Sequence, residues 1–389
     1  MRVLLCNKFY YRRGGDCTYT IALEELLRRH GHDVAVFAME HPETLETPWR
    51  RYFPSEVNLD SPKSEMRFLA RSLGYGEIAS KFKALLKDFK PDVVHLNNIH
   101  SQLSPVIAEI SHRSGCRVVW TMHDYKLLCP RYDCLRRGEK ICELCFTNKI
   151  NVLKYRCMKN SLSGSIMAFW EAEKWNRKRL EECTDAFICP SDFMRNKMAQ
   201  GGFDQAKLHH LCNFIDAGKC VRKDYASRGD YYCYVGRISH EKGLDTLVEV
   251  ANRLPYKLVV VGDGPLIDRL PVSDRIEYVG RKDWPEIKEI VGNARFMVIP
   301  SEWYENNPLS VIESLCLGTP VLGSRIGGIP ELIEEGINGL CFESGNKEDL
   351  ASKIETMSGM EFDYAGIASG AQSRFSEEAY YEELIRIIQ

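Results

Sequence analysis

No apolar run in the chain reaches the roughly 20 residues that a membrane-crossing helix needs, because Lys, Arg, Asp or Glu interrupts each one well before that length. Met1 to Cys6 is too short for the apolar stretch of a signal peptide, and Lys8, Arg12 and Arg13 follow directly. The expected location is therefore the cytoplasm. A large charge of either sign is also missing: 52 Lys+Arg stand against 54 Asp+Glu, a net −2, so no nucleic-acid partner is expected. No Asp-x-Asp triplet occurs, which leaves the chain without the paired carboxylates that commonly clamp a divalent metal. Val259-Val260-Val261-Gly262-Asp263-Gly264-Pro265 lacks the third glycine of the dinucleotide fingerprint. Short repeats and low-complexity segments are absent as well.

What is present is an ordinary globular balance. The 389 residues, 44% hydrophobic and 27% charged, suggest two domains or three, with ample apolar mass for a core. The charge is unevenly divided. Residues 1–200 carry 32 Lys+Arg and 24 Asp+Glu, a balance of +8; residues 201–389 carry 20 and 30, a balance of −10. A basic first half suits an anionic ligand or a membrane surface; a solvated face with uneven charge explains it equally well.

Short Val- and Ile-rich runs alternate with helical patterns. In the first half they are Val3–Cys6, Asp33–Phe37, Asp92–Leu96, Arg117–Thr121 and Asp185–Cys189. In the second they are Tyr232–Val235, Lys257–Val261, Ile276–Val279, Arg295–Ile299 and Pro320–Leu322, with helices expected over 244–254 and 309–317. Apolar residues at successive positions suit strands buried on both faces of a parallel sheet. Two α/β domains follow: 1–212 and 213–375, joined near Asn213-Phe214-Ile215-Asp216. A terminal amphipathic helix over 376–389, capped by Ser376, could pack back on the first domain. Ligands of such sheets bind beyond the carboxyl ends of the strands, so the loops after strands carry the candidates.

Gly14-Gly15 follows the first strand and opens a helix, where backbone N–H groups can meet a phosphate. Gly236-Arg237 and Glu241-Lys242-Gly243 follow the first strand of the second half. There Arg237 offers a planar fork and Lys242 a point charge to a diphosphate. Glu305 and Glu313 are eight residues apart across a loop-to-helix junction, with Asn306-Asn307-Pro308-Leu309-Ser310 between them. Glu313 sits among Val311, Ile312 and Leu315, a costly place for an acid without a partner. His123, in Thr121-Met122-His123-Asp124, follows a first-half strand; His95 and His100 are weaker candidates.

This set resembles the retaining GT-B glycosyltransferases of family four. Glu305-x7-Glu313, Leu317-Gly318-Thr319-Pro320-Val321, Gly327-Gly328-Ile329-Pro330-Glu331, the Gly236–Gly243 segment, Gly262–Pro265, His123-Asp124 and Gly14-Gly15 match in order and spacing. The resemblance implies two Rossmann-like doubly wound domains facing across a cleft. It also implies transfer of a sugar from a nucleotide-sugar donor to a glycan or lipid-linked acceptor, with retention, in surface polysaccharide or glycolipid assembly. Arg237 and Lys242 would hold the diphosphate, Glu313 the ribose, and Glu305 the sugar hydroxyls, helped by backbone at Asn307, Pro308, Leu309 and Ser310. Gly14, Gly15 and Gly236 would approach the phosphates, Val279 and Gly280 would lie by the base, and His123 by the reacting sugar. No cofactor would be required for catalysis. One departure stands out: the family often has Pro-Phe-Gly after the first Glu, and here it is Asn306-Asn307-Pro308. A nucleotide-sugar epimerase on the same fold and a non-catalytic sugar-nucleotide-binding protein are the alternatives.

Of the 15 cysteines, ten are scattered, often within apolar runs as at Cys6, Cys189 and Cys316, and read as small core residues. The other five crowd an insertion at about 126–160. Cys142-x2-Cys145 has zinc-knuckle spacing and Cys129 and Cys157 could complete a structural site, while reduced thiols are the competing reading. The insertion is basic, with nine Lys and Arg in 126–159, and leads into Ile166–Trp170 and Trp175–Arg179. Aromatics beside cations suit peripheral contact with the inner face of a membrane; a core helix with a basic outer face is the other reading.

Overall fold

The computed structural model describes residues 1–57, 61–222, 224–225, 228–271 and 273–389. The chain divides into two units, Met1–Cys212 with Tyr381–Gln389, and Asn213–Tyr380.

The first unit holds β1 (Arg2–Cys6), β2 (Asp33–Phe37), β3 (Val93–Leu96), β4 (Arg117–Thr121), the two-residue strands β5 (Leu135–Arg136) and β6 (Lys140–Ile141), β7 (Ala186–Cys189) and β8 (Leu208–His210). Six of them form one parallel sheet in the order β2-β1-β3-β4-β7-β8; β5 and β6 pair as a separate antiparallel hairpin within the insertion. The central strands are apolar at nearly every position, as burial on both faces demands, and Trp120, Phe37, Phe82 and Phe187 are almost fully enclosed.

The second unit holds β9 (Tyr231–Val235), β10 (Lys257–Val261), β11 (Ile276–Gly280), β12 (Met297–Ile299), β13 (Val321–Ser324) and β14 (Gly339–Phe342), all parallel, in the order β11-β10-β9-β12-β13-β14. Its core joins Tyr232, Tyr234 and Phe296 to Leu247, Val260, Leu350 and Ile354.

The ten strands read from the sequence are present, with ends shifted by up to two residues. The expected helices are shorter, at Leu244–Ala251 and Leu309–Cys316. Two strands of the large sheets escaped that reading: β8 and β14, each on the edge of its sheet and paired on one side only. The terminal helix is Glu377–Ile388, with Ser376 Oγ accepting from Ala379 N. From Tyr381 onward it belongs to the first unit, where Tyr381 stacks on His30 at 3.6 Å and bonds His32 at 2.7 Å. Among the described residues no helix is long and apolar enough to cross a membrane.

Candidate functional site

In a parallel sheet whose strand order reverses partway, crossovers leave in opposite directions at the reversal and open a crevice beyond the strand ends. In the second unit the reversal lies between β9 and β12. The loops that follow these two strands carry Gly236–Gly243 and Pro300–Pro308.

Those loops meet. Lys242 Nζ lies 2.6 Å from Glu305 Oε1, and Ser301 Oγ (2.7 Å) and Trp303 Nε1 (2.9 Å) donate to the same oxygen. Oε2 has no protein partner among the described residues. The Lys242 ammonium also lies 4.9 Å from the centre of the Trp303 ring. Burial pushes the Glu305 carboxyl up, but Lys242, Ser301 and Trp303 outweigh it and leave it below the usual range. Two glycines permit this approach. Gly243, at φ +69°, would place a Cβ 1.8 Å from Pro300 O, and Gly327, at φ +61°, would place one 2.1 Å from Glu305 O. Gly328 N then donates to Glu305 O at 2.8 Å.

Glu313 stands in the second turn of the helix Leu309–Cys316. It is half-buried, has no side-chain partner among the described residues, and burial pushes its carboxyl up to about 7. Arg237 is exposed, 3.7 Å from Glu241. Asn307 is buried and committed to the chain itself: its Oδ1 accepts from Asn213 N at 3.0 Å and its carbonyl from Asn213 Nδ2 at 2.8 Å. Pro308 is the N-cap of the helix, and Leu309 and Ser310 open it, where N–H groups lack intrahelical acceptors. Gly236 follows β9 directly. Val279 and Gly280 end the edge strand β11, where the register with β10 slips and Gly262 N bonds Gly280 O at 2.9 Å.

The first unit reverses between β1 and β3. Asn7, just past β1, accepts Asn98 N at 3.0 Å and so ties the two strand ends. His123, after β4, bonds Asn97 Oδ1 at 2.9 Å through Nε2 and packs edge-on against Tyr19 at 4.8 Å. An amide oxygen can only accept, so Nε2 carries the proton and Nδ1 is left as an acceptor. Burial draws His123 down to about 4, against the opposite pull of Asp16, so the ring is neutral at pH 7. Asp16 lies in the first turn of the helix Gly15–Arg29, whose N-cap is the extended, exposed Gly14. The helix that the Gly14-Gly15 turn opens thus reaches His123 through Tyr19. His95 is buried and bonds Thr121 at 2.7 Å; His100 is half-buried, 3.8 Å from Asp124. Asn97 was missed in the sequence. It is wholly buried, and its Nδ2 has no partner among the described residues. The signal was its place directly after β3.

In the insertion, Cys145 is within electrostatic reach of Cys129, Cys142 and Cys157, the set expected for a structural zinc. No three of the sulfurs lie within 4.8 Å of one another. Cys134, outside that set, donates to Cys129 and draws its thiol down to about 7. The half-buried Lys149 ammonium is within electrostatic reach of Cys145, Cys129 and Cys134 and donates to Leu128 O at 2.5 Å. Cys145 and Cys157 pack with Val152 and Ala168 in a small satellite core.

Comparison with known proteins agrees with this fold. Residues 13–219 match the family described as Glycosyltransferase Family 4, and residues 222–380 match Glycosyl transferases group 1. An uncharacterised 42.6 kDa protein of the cps region of Klebsiella pneumoniae is 24% identical over 353 residues, 85% of this chain and 87% of its own. The amylovoran biosynthesis glycosyltransferase AmsK of Erwinia amylovora is 27% identical over 176 residues, 40% of this chain and 43% of that one. Among solved structures, sucrose-phosphate synthase of Thermosynechococcus elongatus matches with a TM-score of 0.71 at 18% identity, covering 99% of this chain and 98% of that one. The Anabaena protein HepE in complex with UDP matches at 0.66 and 16%, covering 99% of each.

Proposed function

Because the chain belongs to glycosyltransferase family 4 and has its GT-B fold, we propose that it moves a sugar from a nucleotide-sugar donor to a glycan or lipid-linked acceptor, with retention at the anomeric carbon. The observation that carries this reading is the Lys242–Glu305 pair at the strand reversal of the second unit, with the unpartnered Glu313 carboxyl on the helix that follows. The setting is assembly of a surface polysaccharide or glycolipid, supported by the cps-region relative and by AmsK. HepE, solved with UDP, supports a nucleotide donor.

In this reading the bond between the anomeric carbon and the diphosphate oxygen breaks, and the acceptor oxygen forms its bond on the same face. The acceptor proton passes to the departing phosphate oxygen. Negative charge grows on the diphosphate, and fixed cations aimed at it stabilise the transition state. Lys242 keeps N–H groups for this role beyond the one given to Glu305, and Arg237 is exposed and within reach of solvent-borne ligand. Glu305 Oε2 accepts from a sugar hydroxyl and Glu313 from the ribose hydroxyls. Neutral His123 offers Nδ1 to the sugar, and Asn97 fixes its tautomer. Catalysis on this reading requires no metal.

A thermal-shift screen with UDP, GDP, ADP and their sugar conjugates, in the presence of EDTA, tests the donor assignment. A ligand at about 100 times its Kd stabilises by about 2.7 kcal/mol, so one nucleotide family is expected to raise the melting temperature. The reading fails if none does, with or without lipid vesicles.

A further inference from the structure

Ten large hydrophobic side chains are exposed among the described residues, and six of them fall between positions 132 and 170. Three form a stripe on the helix Leu162–Lys174: Leu162 (49% exposed), Ile166 (39%) and Trp170 (56%). Their spacing of four places them on one face. The nine residues from 162 to 170 carry no charge. The opposite face is already spent. Ala168 joins the satellite core, Glu171 pairs with Lys126 at 2.8 Å, and Trp175 just beyond the helix donates to Ser72 O at 2.7 Å. The stripe is therefore distinct from the face by which this helix packs on the rest of its unit. It ends at Glu173, an exposed acid three residues past Trp170.

The surroundings of the stripe are strongly basic. Between residues 137 and 178 seven Lys and Arg are exposed against two Glu. Lys154, Arg156 and Lys159 lie in the segment that leads into the helix. That segment is pinned: Arg156, Lys159 and Asn160 all hold left-handed backbone, at φ 46°, 51° and 58°, and Met158 N donates to Ser165 Oγ at 3.2 Å. The helix N-terminus adds its own partial positive charge. An uncharged apolar stripe beside fixed cations is complementary to one kind of surface, where anionic headgroups overlie hydrocarbon.

We propose that the face Leu162–Ile166–Trp170 docks on an anionic lipid bilayer. Its three side chains enter the boundary between headgroups and acyl chains, while Lys154, Arg156 and Lys159 meet the lipid phosphates. The exposed stripe and its flanking charge carry this surface whatever acceptor the enzyme takes.

Flotation with phosphatidylcholine vesicles, and with vesicles that also contain phosphatidylglycerol, tests it. The full chain is expected to float with the anionic vesicles only, and to be released by high salt. Ile166→Ser with Trp170→Ser is expected to weaken binding roughly tenfold, and Lys154→Glu with Arg156→Glu and Lys159→Glu roughly 100-fold. All five positions are exposed, so melting curves should not move. A bromine-labelled acyl chain should quench fluorescence in the wild type and less in Trp170→Phe. Absence of flotation, equal flotation on neutral vesicles, or variants that float like wild type would each overturn the proposal. None of these readouts depends on sugar transfer, so they fail or succeed apart from the donor screen.

Discussion

An ammonium and a buried carboxylate that meet at 2.6 Å depend on one another. Removing the Lys242 ammonium leaves Glu305 charged and enclosed, which costs roughly 3 kcal/mol. Lys242→Ala is therefore expected to lower stability in urea titrations and to cut turnover by roughly 100-fold or more. Adding Glu305→Gln should recover much of the stability and none of the turnover; unchanged turnover in Lys242→Ala removes this lysine from the reaction. Glu313 behaves differently. Its carboxyl is raised to about 7 by burial, so folding favours its protonated form, and the stability it contributes is lost as pH rises from the ordinary carboxyl range through about 7. Ribose hydroxyls bind the ionised form better. Calorimetric affinity for a UDP-sugar is expected to rise between about pH 6 and 8 in the wild type, as the carboxyl ionises, and to stay flat and weak in Glu313→Gln. Wild-type affinity in that variant would refute the ribose role. The eight-residue spacing of Glu305 and Glu313 was legible because strand, loop and helix run on in sequence. The Lys242–Glu305 contact was not, because it joins positions 63 residues apart. Asn97 carries no motif, and only the fold places its amide on His123.

The loops at strand ends hold their shapes through close backbone approach. Gly327→Ala would force a left-handed alanine and set its Cβ against Glu305 O. The expected loss is roughly 2–4 kcal/mol, read as a lower urea midpoint together with lost nucleotide binding; an unchanged midpoint would mean that the loop moves aside freely. Most strands were visible as apolar runs because central parallel strands are buried on both faces. The edge strands β8 and β14 were not. Leu208-His209-His210 is brief and half polar, and Gly339–Phe342 opens on a residue that rarely signals a strand. In the insertion, cysteine spacing suggests a structural metal site, and in the structure Cys145 and Cys157 pack against Val152 and Ala168. Spacing alone cannot say which way a sulfur points.

Both units are six-stranded parallel sheets, but their orders differ. Only β2 lies outside β1 in the first, whereas both β10 and β11 lie outside β9 in the second. The alternation of strand and helix showed two α/β units; it could not show which neighbour each strand takes. Nor could it show that the first unit is completed by the last residues. Tyr381 stacks on His30, and Arg117 donates to Ile387 O at 2.8 Å. Deleting residues 381–389 is expected to lower the melting temperature of the first unit while nucleotide binding by the second persists; an unaltered melt would show those contacts to be idle. The arrangement also has a consequence for synthesis. Chains generally fold from the N-terminus as they emerge, yet the first unit lacks its closing segment until the 168 residues from 213 to 380 have been made. At about 5–20 residues per second that is roughly ten to thirty seconds. During that interval the first unit waits with its docking surface for the terminal helix bare, and the second, although begun later, is the first to be finished.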